Sequence, residues 1–278
     1  MSSIGTDSSR DLMFQESKSP GATIKSEREL TAMRRAGRVV ALVHERLQTA
    51  VVPGVTTGEL DRIAREVLKE QGAEPSFLDY APVPGITPYP GVICSSLNEE
   101  IVHGIPGDRV VRNGDLVKLD VGAVVDGFHG DAATTVIAGE GTEKTRALVD
   151  ATRRSLEIGI EAAQSGARIG DIGAAIEDFI LSCPQGFEVV REYTGHGIGR
   201  RLHEPPQIPN YGPAGRGLVL KPGMTIAIEP MVNIGGWETA VLDDEWTVVT
   251  ADGELSAHFE HTIAITESGP EILTKLDG

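Results

Sequence analysis

Cysteine is nearly absent from this chain: Cys94 and Cys183 are the only two in 278 residues. Two thiols can build neither a disulfide framework nor a cysteine-ligated zinc site, so the pattern fits a reducing compartment. Positive charge is also short, with 25 Lys and Arg against 41 Asp and Glu and a net charge of −16. That balance argues against DNA as a partner and against a nucleic-acid groove as the main function, although a local patch such as Arg200 and Arg201 could touch RNA. No segment approaches the roughly 20 apolar residues of a membrane span, and the start of the chain lacks a basic stretch followed by an apolar one. A cytoplasmic protein without membrane contact is expected. Low complexity is confined to residues 1–22, where Ser2, Ser3, Ser8, Ser9, Ser17 and Ser19 mark a stretch read as a disordered tail. With 40% hydrophobic residues overall, residues 23–278 can bury one large core as a single domain.

Against these absences stand four acids in unfavourable surroundings. Asp120 and Glu229 each end an apolar alternating run, GDLVKLD at 114–120 and GMTIAIE at 223–229. FHGDAATTVI at 128–137 and AHFEHTIAI at 257–265 place Asp131 and Glu260 just before β-branched runs. A carboxylate inside a strand that otherwise reads as core is costly unless it is paired or bound to a cation. Two matched pairs therefore suggest a cation site. The repetition extends to PGVTTGELDRIAREVL at 53–68 against SGARIGDIGAAIEDFI at 165–180, and to HGIP at 103–106 against HGIG at 196–199. Two related α+β halves, about 26–139 and 142–270, are expected to face each other.

Ser26 and Glu29 have capping-box spacing ahead of Leu30, Met33, Gly37 and Val40, which predicts a helix from Ser26 that ends before Pro53. A second helix should follow Thr57 and stop at Gly72, and the second half should repeat them over 142–164 and 170–182. Residues 75–92 hold five prolines and read as a loop carrying Tyr80 and Tyr89. Asp126-Gly127 is a hairpin signal. If those two residues turn, Val125 opposes Phe128, Asp120 opposes Ala133, and Asp131 shares the face of Asp120 as a diagonal neighbour about 7 Å away or less. Glu229 and Glu260 would form the matching pair, and His196 in the glycine-flanked TGHGIG could reach the same point. Four carboxylates and one histidine suit two divalent ions about 3.5–4 Å apart. Manganese, iron and cobalt fit that donor set, and magnesium and zinc are also compatible. The plainer reading, an Asp-Gly turn with incidental acids, leaves Asp120 unexplained between Leu119 and Val121.

The segments HGIP at 103–106, KLDVGAVVDGFHGD at 118–131, YTGHGIGRRLHEPPQIPNYG at 193–212, LKPGMTIAIEPMV at 220–232 and FEHTIAI at 259–265 resemble the type I methionine aminopeptidases, over about residues 24–275. The resemblance implies the pita-bread fold, a pseudo-twofold α/β (α+β) architecture of mostly antiparallel sheets flanked by helices. It implies that Asp131 and Glu260 bridge two divalent ions, that His196 and Glu229 complete one, and that Asp120 chelates the other. It implies removal of the initiator methionine from nascent polypeptides with a small second residue; a monomer that meets the ribosome transiently is the default expectation. Glu229 would carry a proton from water to the leaving amine, His203 would contact the scissile carbonyl, and His103 would lie near the scissile amide nitrogen. Tyr80, Tyr89, Cys94 and Trp246 would line the methionine side-chain pocket, where apolar walls favour an unbranched thioether. Asn98 and Ser256 match positions that help hold a monovalent cation through backbone or side-chain oxygens. Two departures stand out: APVPGITPYPGVI is longer than the loop of simpler members, and Leu202 stands where an aromatic is common.

Two other functions fit less well. A proline-directed peptidase of the prolidase or aminopeptidase P kind shares the metal pattern but carries a large N-terminal domain, for which residues 1–25 are too short. A non-enzymatic binding protein on the same fold would be expected to have lost ligands, and all five are present. The 26-residue interval between His203 and Glu229 leaves no room for the helical insertion of type II relatives.

Overall fold

The computed structural model describes residues 21–276; the tail expected over 1–22 falls, apart from Gly21 and Ala22, outside them. Four helices carry the outer layer: α1 (Glu27–Ala50), α2 (Thr57–Glu70), α3 (Glu143–Ala162) and α4 (Ile169–Ser182). Helix α1 starts as its capping box requires, with Glu29 Oε2 accepting from Ser26 N at 2.9 Å. Helix α2 begins one residue earlier than the sequence reading has it. Thr56, not Thr57, is the cap: its Oγ1 accepts from Glu59 N at 3.1 Å while Glu59 Oε2 accepts from Thr56 N at 2.8 Å. Thr57 turns inward instead and shares hydrogen bonds with Gly107.

The first-half sheet is built on the strand Leu116–Val125. One side pairs with Phe128–Ile137 and the other with Ile93–Leu97 and the two-residue strand Glu74–Pro75. The hairpin register is the one that the turn dictates. Val125 opposes Phe128 and Asp120 opposes Ala133, while Asp126 and Gly127 take left-handed φ values of 51° and 74°. In the second half, Thr225–Ile228 pairs with His261–Thr266 on one side and with Gly195–Gly197 on the other. The three-strand arrangement of the first half is thus repeated, and Asp120 and Glu229 occupy equivalent places at or just past the central strand.

Each helix pair packs on its own sheet. Val40, Val43, Leu47 and Leu60 meet Val117, Leu119 and Val121 in the first half, and Ile160, Ile172 and Ile176 meet Ile226, Ile228 and Ile263 in the second. All of these except Ile160, at 7%, are fully buried, and burying each such side chain stabilises the fold by about 1.5–3 kcal/mol. Backbone groups and a threonine hydroxyl join the halves beside the acids. Glu260 N donates to Ala133 O at 2.9 Å, Ala133 N donates to Glu260 O at 3.3 Å, and Thr262 Oγ1 both accepts from Asp131 N and donates to Asp131 O. These bonds set Asp131 and Glu260 side by side.

Candidate active site

The two acid pairs converge where the sheets meet. One ligand atom from each of Asp131, His196 and Glu260 lies within 4.8 Å of the other two, and all three residues are buried. Glu229 joins them, with Oε1 3.5 Å from His196 Nε2, and the Asp120 and Asp131 carboxyls lie close enough to share a proton. His196 Nδ1 donates to the Gly197 carbonyl at 2.9 Å, because a carbonyl can only accept. The proton is therefore on Nδ1, and the Nε2 lone pair faces the acids as a ligand requires.

Electrostatics mark this as a place for added positive charge. Burial pushes the Asp120 carboxyl up to about 7. Burial first, and then the neighbouring carboxylates, raise Asp131, Glu229 and Glu260 well above the usual range. Burial lowers His196 to about 4, so its imidazole is neutral at physiological pH. Asp120 Oδ1, Asp131 Oδ1 and Glu260 Oε1 are buried without a hydrogen-bond partner among the described residues. Orphaned buried carboxylate oxygens are rare, and bound divalent cations satisfy them. The donor set of oxygens and one imidazole fits such ions.

The histidines that should flank the reaction differ in exposure, with His103 half-buried and His203 exposed. The rings of His203 and His196 stand 4.4 Å apart at 69°, with His203 exposed at the rim. His103 holds a left-handed φ of 61°, with its ring edge-on to Tyr193 and Trp246. Burial lowers its pKa to about 4. The two His-Gly-Ile motifs need glycine for the same reason, although His196 and Gly197 lie in the strand Gly195–Gly197 rather than in the expected turn. A Cβ on Gly104 would lie 2.6 Å from the Ser95 carbonyl oxygen, and one on Gly197 would lie 2.2 Å from that of Pro205.

Tyr89, Cys94 and Trp246 share one apolar cluster with Phe77, Ile198 and Leu202. Their polar atoms are spent on backbone. Tyr89 Oη donates to Gly104 O at 2.8 Å, and Trp246 Nε1 donates to Thr87 O at 2.8 Å. The surface that remains is apolar despite its residue names. Tyr80 sits at the edge of this cluster, yet its hydroxyl contacts His203 Nδ1 at 2.5 Å. It belongs to the histidine as well as to the pocket.

The chain matches the model of metallopeptidase family M24 over residues 31–267. The methionine aminopeptidase 1 of Bacillus subtilis is 50% identical over 252 residues, which cover 91% of this chain and 98% of that protein. The chain belongs to metallopeptidase family M24, among its methionine aminopeptidases. The methionine aminopeptidase 1 of Mycobacterium tuberculosis is 48% identical over 90% of this chain and 94% of its own length. The crystal structure of methionine aminopeptidase from Thermotoga maritima superposes with a TM-score of 0.88 at 46% identity, over 92% of this chain and all of that one. A prolidase from Pyrococcus furiosus shares the pita-bread fold at 23% identity and a TM-score of 0.71, and this chain covers 66% of it.

Two residues of this M24 site escaped the sequence reading. Lys118, 1% exposed, donates from Nζ to the carbonyl oxygens of Asn98 at 2.8 Å and Ser256 at 3.0 Å. Asn98 and Ser256 are the two residues expected to help hold a monovalent cation, and the Lys118 Nζ hydrogen-bonds the carbonyl oxygen of each. His258 is buried, and neither ring nitrogen has a partner among the described residues. Each lies two residues before a cluster acid: Lys118 shares a strand face with Asp120, and Glu260 lies just past the strand that ends at His258. A charged residue within GDLVKLD was as conspicuous as Asp120 itself.

Proposed function

We propose that this M24 peptidase removes the N-terminal methionine from new polypeptides whose second residue is small. The observation that carries the reading is the meeting of Asp120, Asp131, His196, Glu229 and Glu260 beside the apolar cluster of Tyr89, Cys94 and Trp246. The relatives named methionine aminopeptidase support the same activity.

Asp120, Asp131, His196, Glu229 and Glu260 would together hold two divalent ions. Cobalt, manganese or iron is the proposed pair, with zinc compatible. When bound, such ions act as Lewis acids on the scissile carbonyl and lower the pKa of water. Glu229, whose carboxyl is raised above its ordinary value by burial and the neighbouring Asp120 carboxylate, would accept a proton from the attacking water and return it to the leaving amine. We assign the Tyr80 hydroxyl as donor to His203 Nδ1, 2.5 Å away, an assignment that would leave Nε2–H to face the scissile carbonyl oxygen. His103 would meet the scissile amide nitrogen, and its neutral ring can donate from one nitrogen and accept at the other. The methionine side chain would enter between Tyr89, Cys94 and Trp246, with Tyr80 at the edge.

We read residues 23–278 as one catalytic domain of two duplicated halves, a reading that the repeated three-strand arrangement supports. No described helix is long and apolar enough to cross a membrane. A cytoplasmic monomer that meets nascent chains at the ribosome is the setting in which this substrate occurs.

The test is hydrolysis of Met-Ala-Ser by chelator-stripped protein, with and without Mn²⁺, Co²⁺ or Fe²⁺, beside an Ala-Pro substrate. Metal-restored release of methionine confined to the first substrate is expected. Cleavage of Ala-Pro, or silence on both by folded and metallated protein, would refute the reading.

A further inference from the structure

Lys118 is buried without the usual partner. Lysine is almost never fully buried unless its ammonium is paired, and among the described residues no carboxylate lies within ion-pair distance of it. Its partners are instead two main-chain carbonyls from different parts of the chain. Asn98 lies in the turn between Ile93–Leu97 and Glu100–Val102, and Ser256 opens the strand that leads to Glu260. Oriented carbonyl dipoles around a single positive charge are how proteins hold hard cations.

The carbonyl of Asn98 is aimed by bonds that do not involve the lysine. Its backbone takes a left-handed φ of 54°, its Oδ1 accepts from Leu116 N at 3.0 Å, and its Nδ2 donates to Asp115 Oδ1 at 3.0 Å. Its own N–H donates to Leu116 O at 2.9 Å, and Ser256 N donates to Asn98 O at 3.1 Å. The cradle is therefore assembled from both halves before the ammonium is counted.

We propose that the Lys118 ammonium is a tethered monovalent cation, filling a carbonyl-built cation site with the chain's own charge and freeing the enzyme from any need for potassium or sodium. Lys118 stands two residues before Asp120, and Ser256 stands four before Glu260. Lys118 is thus a positioning residue that fixes the spacing between an acid of the first half and an acid of the second. A compact ammonium fits this task and a planar guanidinium does not.

The inference can be tested without substrate, so its failure and that of the peptidase reading are distinguishable. Thermal unfolding of the full chain is followed in potassium, ammonium and choline chloride at equal ionic strength, for the wild type, Lys118→Ala and Lys118→Met. The wild type should unfold at one temperature in all three salts. Lys118→Ala, which opens room for an ion, should unfold at least ~5 °C higher in potassium or ammonium than in choline, with a saturable dependence. Lys118→Met, which fills the space with an apolar stem, should respond to none. Turnover of Met-Ala-Ser by Lys118→Ala should return in parallel with its stability. A saturable potassium response of the wild type would overturn the proposal. So would a Lys118→Ala protein no more stable in potassium or ammonium than in choline, including one that folds in none of the three.

Discussion

The two halves bring acids to the same point by different means. In the first, a regular ten-residue hairpin with a two-residue turn sets Asp120 and Asp131 two residues out of register on one face. In the second, the strands beside Glu229 and Glu260 have only four and six residues, and 27 residues separate the end of Thr225–Ile228 from Ser256. The pairing is also irregular there, with a register shift between His196 and Gly197. The regular half supplies fixed carboxylates. The irregular half adds the imidazoles of His196 and His203 and Glu229, the acid proposed to move a proton. Bulges and short strands re-aim side chains in ways that a flat ladder does not.

The contrast breaks most sharply at the proton carrier. Glu229→Gln should lower kcat by about 10²–10⁴-fold with circular dichroism unchanged, and His196→Ala should act similarly through loss of a ligand. Near-normal turnover in either purified variant would remove the catalytic role given to the second half. His203→Ala should lower kcat more than it raises KM. Tyr80→Phe, which removes one hydrogen bond from that ring, should cost only about 5–10-fold in kcat with KM nearly constant.

Metal removal sharpens the same comparison through pH. Asp120 has a folded pKa of about 7 against an ordinary 3.8, so its contribution to the metal-free fold is present at low pH and lost as pH rises through about 7. Asp131, Glu229 and Glu260 shift in the same direction. His196, held at about 4, has the opposite sign, with its contribution present above its ordinary 6.5 and lost as pH falls toward 4. Divalent cations replace the protons on the acids and need the imidazole neutral, so the gain in Tm on adding Mn²⁺ should widen from about pH 5 to about pH 8. A constant gain would contradict the buried-acid account. The smallest effect concerns the helix caps. Thr56→Ala at α2 should cost about 1 kcal/mol in denaturant unfolding, whereas Arg168→Ala at the equivalent start of α4, where the residue's own side chain makes no cap bond, should cost less than half as much.

Much of this was legible because it is local. The Asp-Gly turn fixes register by geometry, so Asp120 opposite Ala133 follows from the sequence alone. The capping box at Ser26 and Glu29 fixes the start of α1 in the same way. The second cap was placed one residue late because Thr56 and Thr57 are chemically alike. Only the contact of Thr57 with Gly107, 50 residues away, decides which one turns inward. Tyr80 was legible as an aromatic near a pocket, and its bond to His203 spans 123 residues. No local pattern reports such a distance.

The sequence by itself determined the helices, the hairpin and, through its family motifs, the ligand types, because capping, turn chemistry and alternation act over a few residues. Tertiary structure decided which atoms share a site. Asp131 stands beside Glu260 because Ala133 and Glu260 exchange backbone hydrogen bonds across the two halves. The Lys118 charge belongs to Asn98 and Ser256 because three distant segments close around it. Burial then set the charge states, since the cost of a carboxylate or an ammonium depends on the solvent that packing has removed.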